Sequence, residues 1–390
     1  MPVQMTPKRS LASLKALCRA DWRVEVFVPA LLEALHDVIP SARNLFDWTD
    51  EEGRLARYFI EGPVDTTVAQ LYFEEFHNRK EAACMPAFSS LRNVPLSVRG
   101  AAELNTPAFF ASALYNEVWR PQGFHTRIEG VVRGRSGRLL GSLVLYRGPG
   151  ERRFSAQEEE RFSTLLPIVA DALERPYTGS VSRAEEPYVG AKEPAETLVL
   201  GSRGQMLHTS VGLERMLMLA DGGLSRDALQ RPLAQRVEKM FGGLIKQLLE
   251  RARQPGGLAV LQPSPSLVLV NAYGRFDARG SILRKQGPES AQDAPVLHIA
   301  MRRLEQRAVA LHRVLRKLPI SSGQTAVCAA LYAGHAQTEI ARSLGVKATT
   351  VVDHARKLYS ALDVKGSGEL MIAPVLGLEL ITFTEAVMPP

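Results

Sequence analysis

Two groups of side chains in this 390-residue chain have types and spacings that could do chemistry. One lies near the C-terminus, where a predicted helix over residues 349–362 turns Val351, Ala355, Leu358 and Leu362 to one face. Its opposite face carries Val352, Asp353, Arg356, Lys357 and Ser360, a mixture of donors, acceptors and one branched apolar group. The other group is aromatic: Trp48, Tyr58, Trp119 and Phe124, with His125 and Arg127, lie on or near predicted strands. They could line a small-molecule pocket with Arg127 as an anion anchor; the alternative is that the aromatics are core while His125 and Arg127 are surface. Catalysis is not expected. The acidic runs Asp50-Glu51-Glu52 and Glu158-Glu159-Glu160 fall at a turn and a helix start, where solvation and the helix dipole favour acids. There is no phosphate-cradling glycine loop, HExxH, nucleophile elbow or kinase signature. Cys18, Cys84 and Cys328 are far apart, without metal spacing, and no cofactor is implied.

The elements that position the first group are legible. Ser321 with Gln324 is a capping-box pattern, so a helix opens near Ser322, with Val327 and Leu331 on its apolar face. Gly334 stands where a left-handed cap is wanted. A second helix over residues 337–344 buries Ile340, Ala341 and Leu344, and Gly345 supplies a tight turn into the third. Two short helices joined by a glycine turn, the second with a polar outer face, form the geometry that places a helix in a DNA major groove.

Residues 318–371 resemble the LuxR-type helix-turn-helix module. Gly334, Glu339-Ile340-Ala341, Leu344-Gly345, Thr350-Val351, His354, Leu362 and Val364 fall at that family's spacings. The resemblance implies DNA contacts by Lys347, Thr349, Thr350, Val352, Asp353, His354, Arg356 and Lys357. Among these, Arg356 would read guanine or hold a phosphate, Asp353 accept from cytosine, and Val352 touch a thymine methyl. Thr350, Lys357 and Lys347 suit phosphates, and His354 suits packing beside the helix with one phosphate bond. The chain departs from the family pattern where Ala336 and Lys347 replace serine caps, where Val352 replaces a lysine, and where Pro374 interrupts the fourth helix.

Composition fits a protein of several soluble domains: 45% apolar, 23% charged, net charge +7, with no apolar run of membrane-spanning length and no signal peptide. A cytoplasmic location and no membrane contact are expected. Helices over residues 9–39, strands at 44–48, 55–60, 124–133 and 138–146, helical sections at 68–79 and 107–118, and a capped helix from Ser155 are similar to a GAF domain. Strands at 197–200 and 205–209 around a glycine turn, helices at 210–220 and 233–252, and strands at 258–261, 267–271, 280–284 and 296–301 look like a PAS domain.

The expected fold class is α+β. A GAF-like sensory domain (1–178), a linker (179–195) and a PAS-like domain (196–301), both domains with antiparallel sheets, precede a basic connecting helix (302–317). An all-α helix-turn-helix domain with a C-terminal tail (318–390) closes the chain. The arginines of 302–317 have two readings, a solvated face or supplementary phosphate contacts. The functional expectation is a transcription regulator that binds double-stranded DNA as a homodimer. Its sensor domains would answer to a small-molecule effector, with RNA polymerase as a further partner. The alternative is a protein-interaction regulator whose helix-turn-helix no longer binds operator DNA.

Overall fold

The computed structural model describes residues 7–19, 23–177, 188–254, 263–284, 294–317, 320–332 and 335–362. Several expectations lie outside these residues: most of the linker, the strand at 258–261, the Gly334 cap, and everything beyond residue 362, including Pro374.

The chain opens with α1 (Pro7–Arg19) and α2 (Val24–Leu35), then the hairpin β1 (Arg43–Thr49) and β2 (Leu55–Ile60). Asp65 caps α3 (Thr66–Leu71) by accepting from the Thr67 and Val68 amides, and the helix runs on into a π-helical turn, Tyr72–Phe76. Short turns lead to β3 (Ser97–Arg99), α4 (Ala101–Leu104) and α5 (Pro107–Ala111). The helix expected over 107–118 is broken at Ser112, which is extended (ψ 156°) and whose hydroxyl accepts from the Tyr115 amide to start a new π-helical turn, Leu114–Trp119. Strands β4 (Thr126–Arg133) and β5 (Leu139–Arg147) and the capped helix α6 (Ala156–Glu174) complete the unit. The antiparallel sheet has the order β2-β1-β5-β4-β3. Helix α6 crosses β4 at Gly130, where a Cβ would stand 2.5 Å from Leu166 and 2.9 Å from Phe162. Only glycine allows that approach.

The second unit comprises β6 (Tyr188–Gly190), β7 (Glu196–Leu200), β8 (Met206–Thr209), α7 (Leu213–Ala220), α8 (Arg226–Gln230), α9 (Leu233–Ala252), β9 (Ser266–Asn271), β10 (Gly274–Leu283) and β11 (Val296–Gln306). Its order, β8-β7-β11-β10-β9, repeats the first sheet's pattern, with β6 added beside β11. The Tyr58 amide donates to the Leu224 carbonyl at 3.0 Å, and the Phe59 and Tyr273 rings stack with centroids 6.2 Å apart. One continuous hydrophobic core therefore runs through both units.

Two boundary expectations are corrected. Tyr188–Gly190, inside the expected linker, is a strand paired with Leu304, Glu305 and Gln306. For the same reason residues 302–306 are strand, not helix: backbone pairing with β6 carries β11 through Gln306 before α10 (Arg307–Lys317) begins. Helices α11 (Ser322–Tyr332), α12 (Gln337–Leu344) and α13 (Ala348–Leu362) then pack around Val327, Cys328, Leu331, Ile340, Val351 and Leu358, with Leu311 and Leu315 of α10 joining this second core. Leu344, expected inside, is 40% exposed.

Candidate functional site

The first candidate is the outer face of α13. Helix α11 is capped as its sequence implies, the Gln324 amide donating to the Ser321 hydroxyl at 3.3 Å and the Ser321 amide to Gln324 Oε1 at 2.6 Å. At α12, Ala336 offers no side-chain acceptor, but its amide donates to Glu339 Oε2 at 3.0 Å. Gly345 closes α12 in the left-handed region (φ 66°), and the Val346 amide reaches back to the Ala341 carbonyl at 3.0 Å. That turn sets the start of α13.

On α13, Val352 is 50% exposed, and Arg356 and Lys357 are exposed beside it. Lys347 and Thr349 are exposed at its start, and Thr350 is half-buried. Asp353 accepts from Arg356 Nη2 at 3.0 Å and pairs with Lys357 Nζ at 2.6 Å. Bonds from Lys357 and Arg356 hold its carboxyl below the usual aspartate range. His354 differs from the rest. Its ring lies against Gly323 of α11, where a Cβ would stand 3.1 Å from Nε2, so it faces the bundle rather than the outer surface.

Three arginines of the basic segment before this bundle are turned inward. Arg313 of α10 bonds Glu33 Oε2 at 2.7 Å and Glu305 Oε2 at 2.7 Å. Arg316 reaches Asp37 at 3.1 Å and Glu33 at 3.3 Å, and Arg303 bonds both oxygens of Glu193 at 3.0 and 3.1 Å. These three arginines hold carboxylates of the two sheet units and are not arrayed as a free basic face.

The second candidate is a cavity of about 130 Å³ between the first sheet and the α3–α5 segment. Tyr58, Trp119, Phe124 and Arg127 line it. Trp48 does not, for a reason of register. Asp47 pairs with Tyr58 and Trp48 with Arg57 across β1 and β2, so Trp48 shares a face with Arg57, whose guanidinium lies 4.6 Å from its ring. His125 is also outside the cavity, stacked on Phe110 at 4.8 Å and bonded to the Tyr115 hydroxyl at 2.7 Å. Arg127, far from being surface, is 6% exposed, its guanidinium 4.4 Å from the Trp119 ring.

Polar side chains of the lining that the sequence did not point to include Asp47, Glu81, Arg99 and Glu129, with His77 and Gln122 beside them. Period-two alternation from Arg127 would have found Glu129; Asp47 follows only from the β1–β2 register that pairs it with Tyr58, and nothing local points to Glu81 or Arg99. Glu81 is fully buried, accepting from the Tyr72 hydroxyl at 2.9 Å and the Phe88 amide at 2.9 Å. Arg99 and Glu129 pair at 3.3 Å. Asp47 accepts from the Ser142 hydroxyl at 3.2 Å; burial, reinforced by Glu129, pushes its pKa well above the ordinary aspartate value.

Among the described residues no helix is long and apolar enough to cross a membrane, and no group of three or more His, Cys, Asp or Glu is placed to hold a metal ion. No family model matches the chain, and no curated protein matches it. Among solved structures it is similar to a chain of the E. coli DhaR(N)-DhaL complex, with 14% identity, 77% of this chain and 92% of that chain covered, and a TM-score of 0.24. It is also similar to the sensor region of a sensor histidine kinase, with 17% identity, 45% and 63% covered, and a TM-score of 0.15. At such scores neither likeness carries an argument about function.

Proposed function

We propose that the chain is a DNA-binding transcription regulator, its two sheet units forming a sensory body and its C-terminal helices a LuxR-type helix-turn-helix. The observation that carries the reading is the outer face of α13. There a half-exposed branched apolar side chain, Val352, stands between exposed cations on a helix that follows a left-handed glycine turn. Such a face suits base-edge readout, with Arg356 for guanine and Val352 for a thymine methyl, while Lys347 and Lys357 suit phosphates. With Arg303, Arg313 and Arg316 committed to carboxylates, the phosphate contacts are few, so affinity should depend only mildly on salt.

The test is anisotropy of a labelled duplex across a salt series. Lys347→Ala should reduce the slope of log affinity against log salt by about one, and Arg356→Ala should weaken binding to a selected site. Binding unchanged by both substitutions would refute the placement of DNA on this face. The runner-up, an interaction regulator that uses the face against a protein, rests on the Asp353 pairs, which already occupy Arg356 and Lys357. It predicts no selected site at all.

A further inference from the structure

Seven arginines are buried among the described residues: Arg99, Arg127, Arg147, Arg215, Arg236, Arg303 and Arg316. Six of them have a carboxylate within 4 Å; Arg127 has none. Its Nη2 donates only to the Met85 sulfur, at 2.9 Å, and its Nε has no partner. A thioether is a weak acceptor, and a guanidinium is a permanent cation. Burying such a charge without an anion costs several kcal/mol even after relaxation. The same cavity contains a second unanswered donor, the buried Tyr58 hydroxyl.

Size and walls narrow the occupant. Tyr72, Phe73, Trp119, Phe124 and Tyr146 provide flat apolar surface around about 130 Å³. An apolar cavity of roughly 150 Å³ accepts one benzene, so the space is that of a single ring. Of the three carboxyl groups on the wall, Asp47 is favoured in its neutral form by burial, Glu129 is paired with Arg99 at 3.3 Å, and Glu81 is held by the Tyr72 hydroxyl and the Phe88 amide, so Arg127 is the cation left for an anion. We propose that the cavity binds a small planar anion, one aromatic ring carrying one carboxylate, with Arg127 as its counter-ion and Tyr58 as a second donor. This deepens the regulator reading by naming the effector's chemical class. One wall of the cavity is tied to the second unit. Helix α3, on its wall, donates from Thr66 to Glu214 at 2.6 Å and from Gln70 to the Leu229 carbonyl at 2.6 Å. An occupant would thus press on the junction between the two units.

The experiment is calorimetric titration of the full chain, without DNA, with benzoate and with its uncharged analogue benzamide. Benzoate should bind saturably and at least about tenfold more tightly than benzamide. Arg127→Met should abolish that preference while raising, or leaving unchanged, the melting temperature of the unliganded protein, because an unanswered charge is removed. No heat with benzoate at millimolar concentration, or equal affinity for the two probes, overturns the proposal. So does a melting temperature lowered by Arg127→Met, which would make Arg127 a structural cation. The comparison of the two probes needs no variant, and the absence of DNA keeps this outcome separate from that of the DNA-binding reading.

Discussion

Arg127 and Arg147 lie on neighbouring strands and meet opposite fates. Arg147 donates to Glu158 Oε1 at 2.9 Å and to the Pro40 carbonyl at 2.7 Å, with the Phe154 ring 4.0 Å away. Glu158 also takes the Ser155 amide at 2.9 Å, so one carboxylate serves both the capping box and a buried ion pair. Burial alone would raise its pKa, but Arg147 and Ser155 outweigh that and hold it at about 2, against an ordinary 4.5. The stability it contributes is therefore complete above its unfolded pKa and is lost as pH falls through about 2. Glu158→Ala strands Arg147 and should cost about 3 kcal/mol in urea unfolding at neutral pH, a loss that shrinks in strong acid. A change below about 1 kcal/mol would mean that the pair is a surface-type interaction. The cap was legible because Ser155 and Glu158 are three residues apart. Arg147 was not, since a chain reversal brings it to the helix start.

At the scale of elements, α10 decides how the helical bundle is held. Its charges were plain in the sequence, but their direction was not: Glu33 lies 280 positions before Arg313 and on another element, α2. Local composition reads such a segment as a basic surface, whereas the fold turns Arg313 and Arg316 onto Glu33, Glu305 and Asp37. His312, between them, is held at about 4, chiefly by burial and then by Arg316. It is neutral in the folded chain, so its contribution is complete above about 6.5 and is lost as pH falls toward 4. Hydrogen exchange should accordingly show α10 amides opening faster relative to β4 and β5 at pH 4.5 than at pH 7. His312→Asn should reduce that pH dependence. Equal acceleration in the strands would assign the effect to global unfolding instead.

For the whole molecule, alternation and helical spacing made most strands and helices readable, because each signal is local. β2 spans Leu55–Ile60, the stretch read as a strand from its sequence, and α9 spans Leu233–Ala252 as its apolar stripe requires. Long-range pairing was hidden. The repeated strand order, the addition of β6 to β11 and the shared core around Phe59 and Tyr273 depend on partners that no sequence window contains. The candidate sites divide in the same way: the α13 face follows from one helix's spacing, whereas the cavity needed the β1–β2 register to separate Asp47 from Trp48. The central claim, that α13 reads DNA, is tested most directly by selection from random duplexes with the full chain and with Arg356→Ala, each with and without benzoate. A DNA-reading α13 predicts an enriched two-fold motif whose guanine preference Arg356→Ala relaxes, a loss of about 1–3 kcal/mol at that position. Enrichment of nothing under any of the four conditions would contradict it.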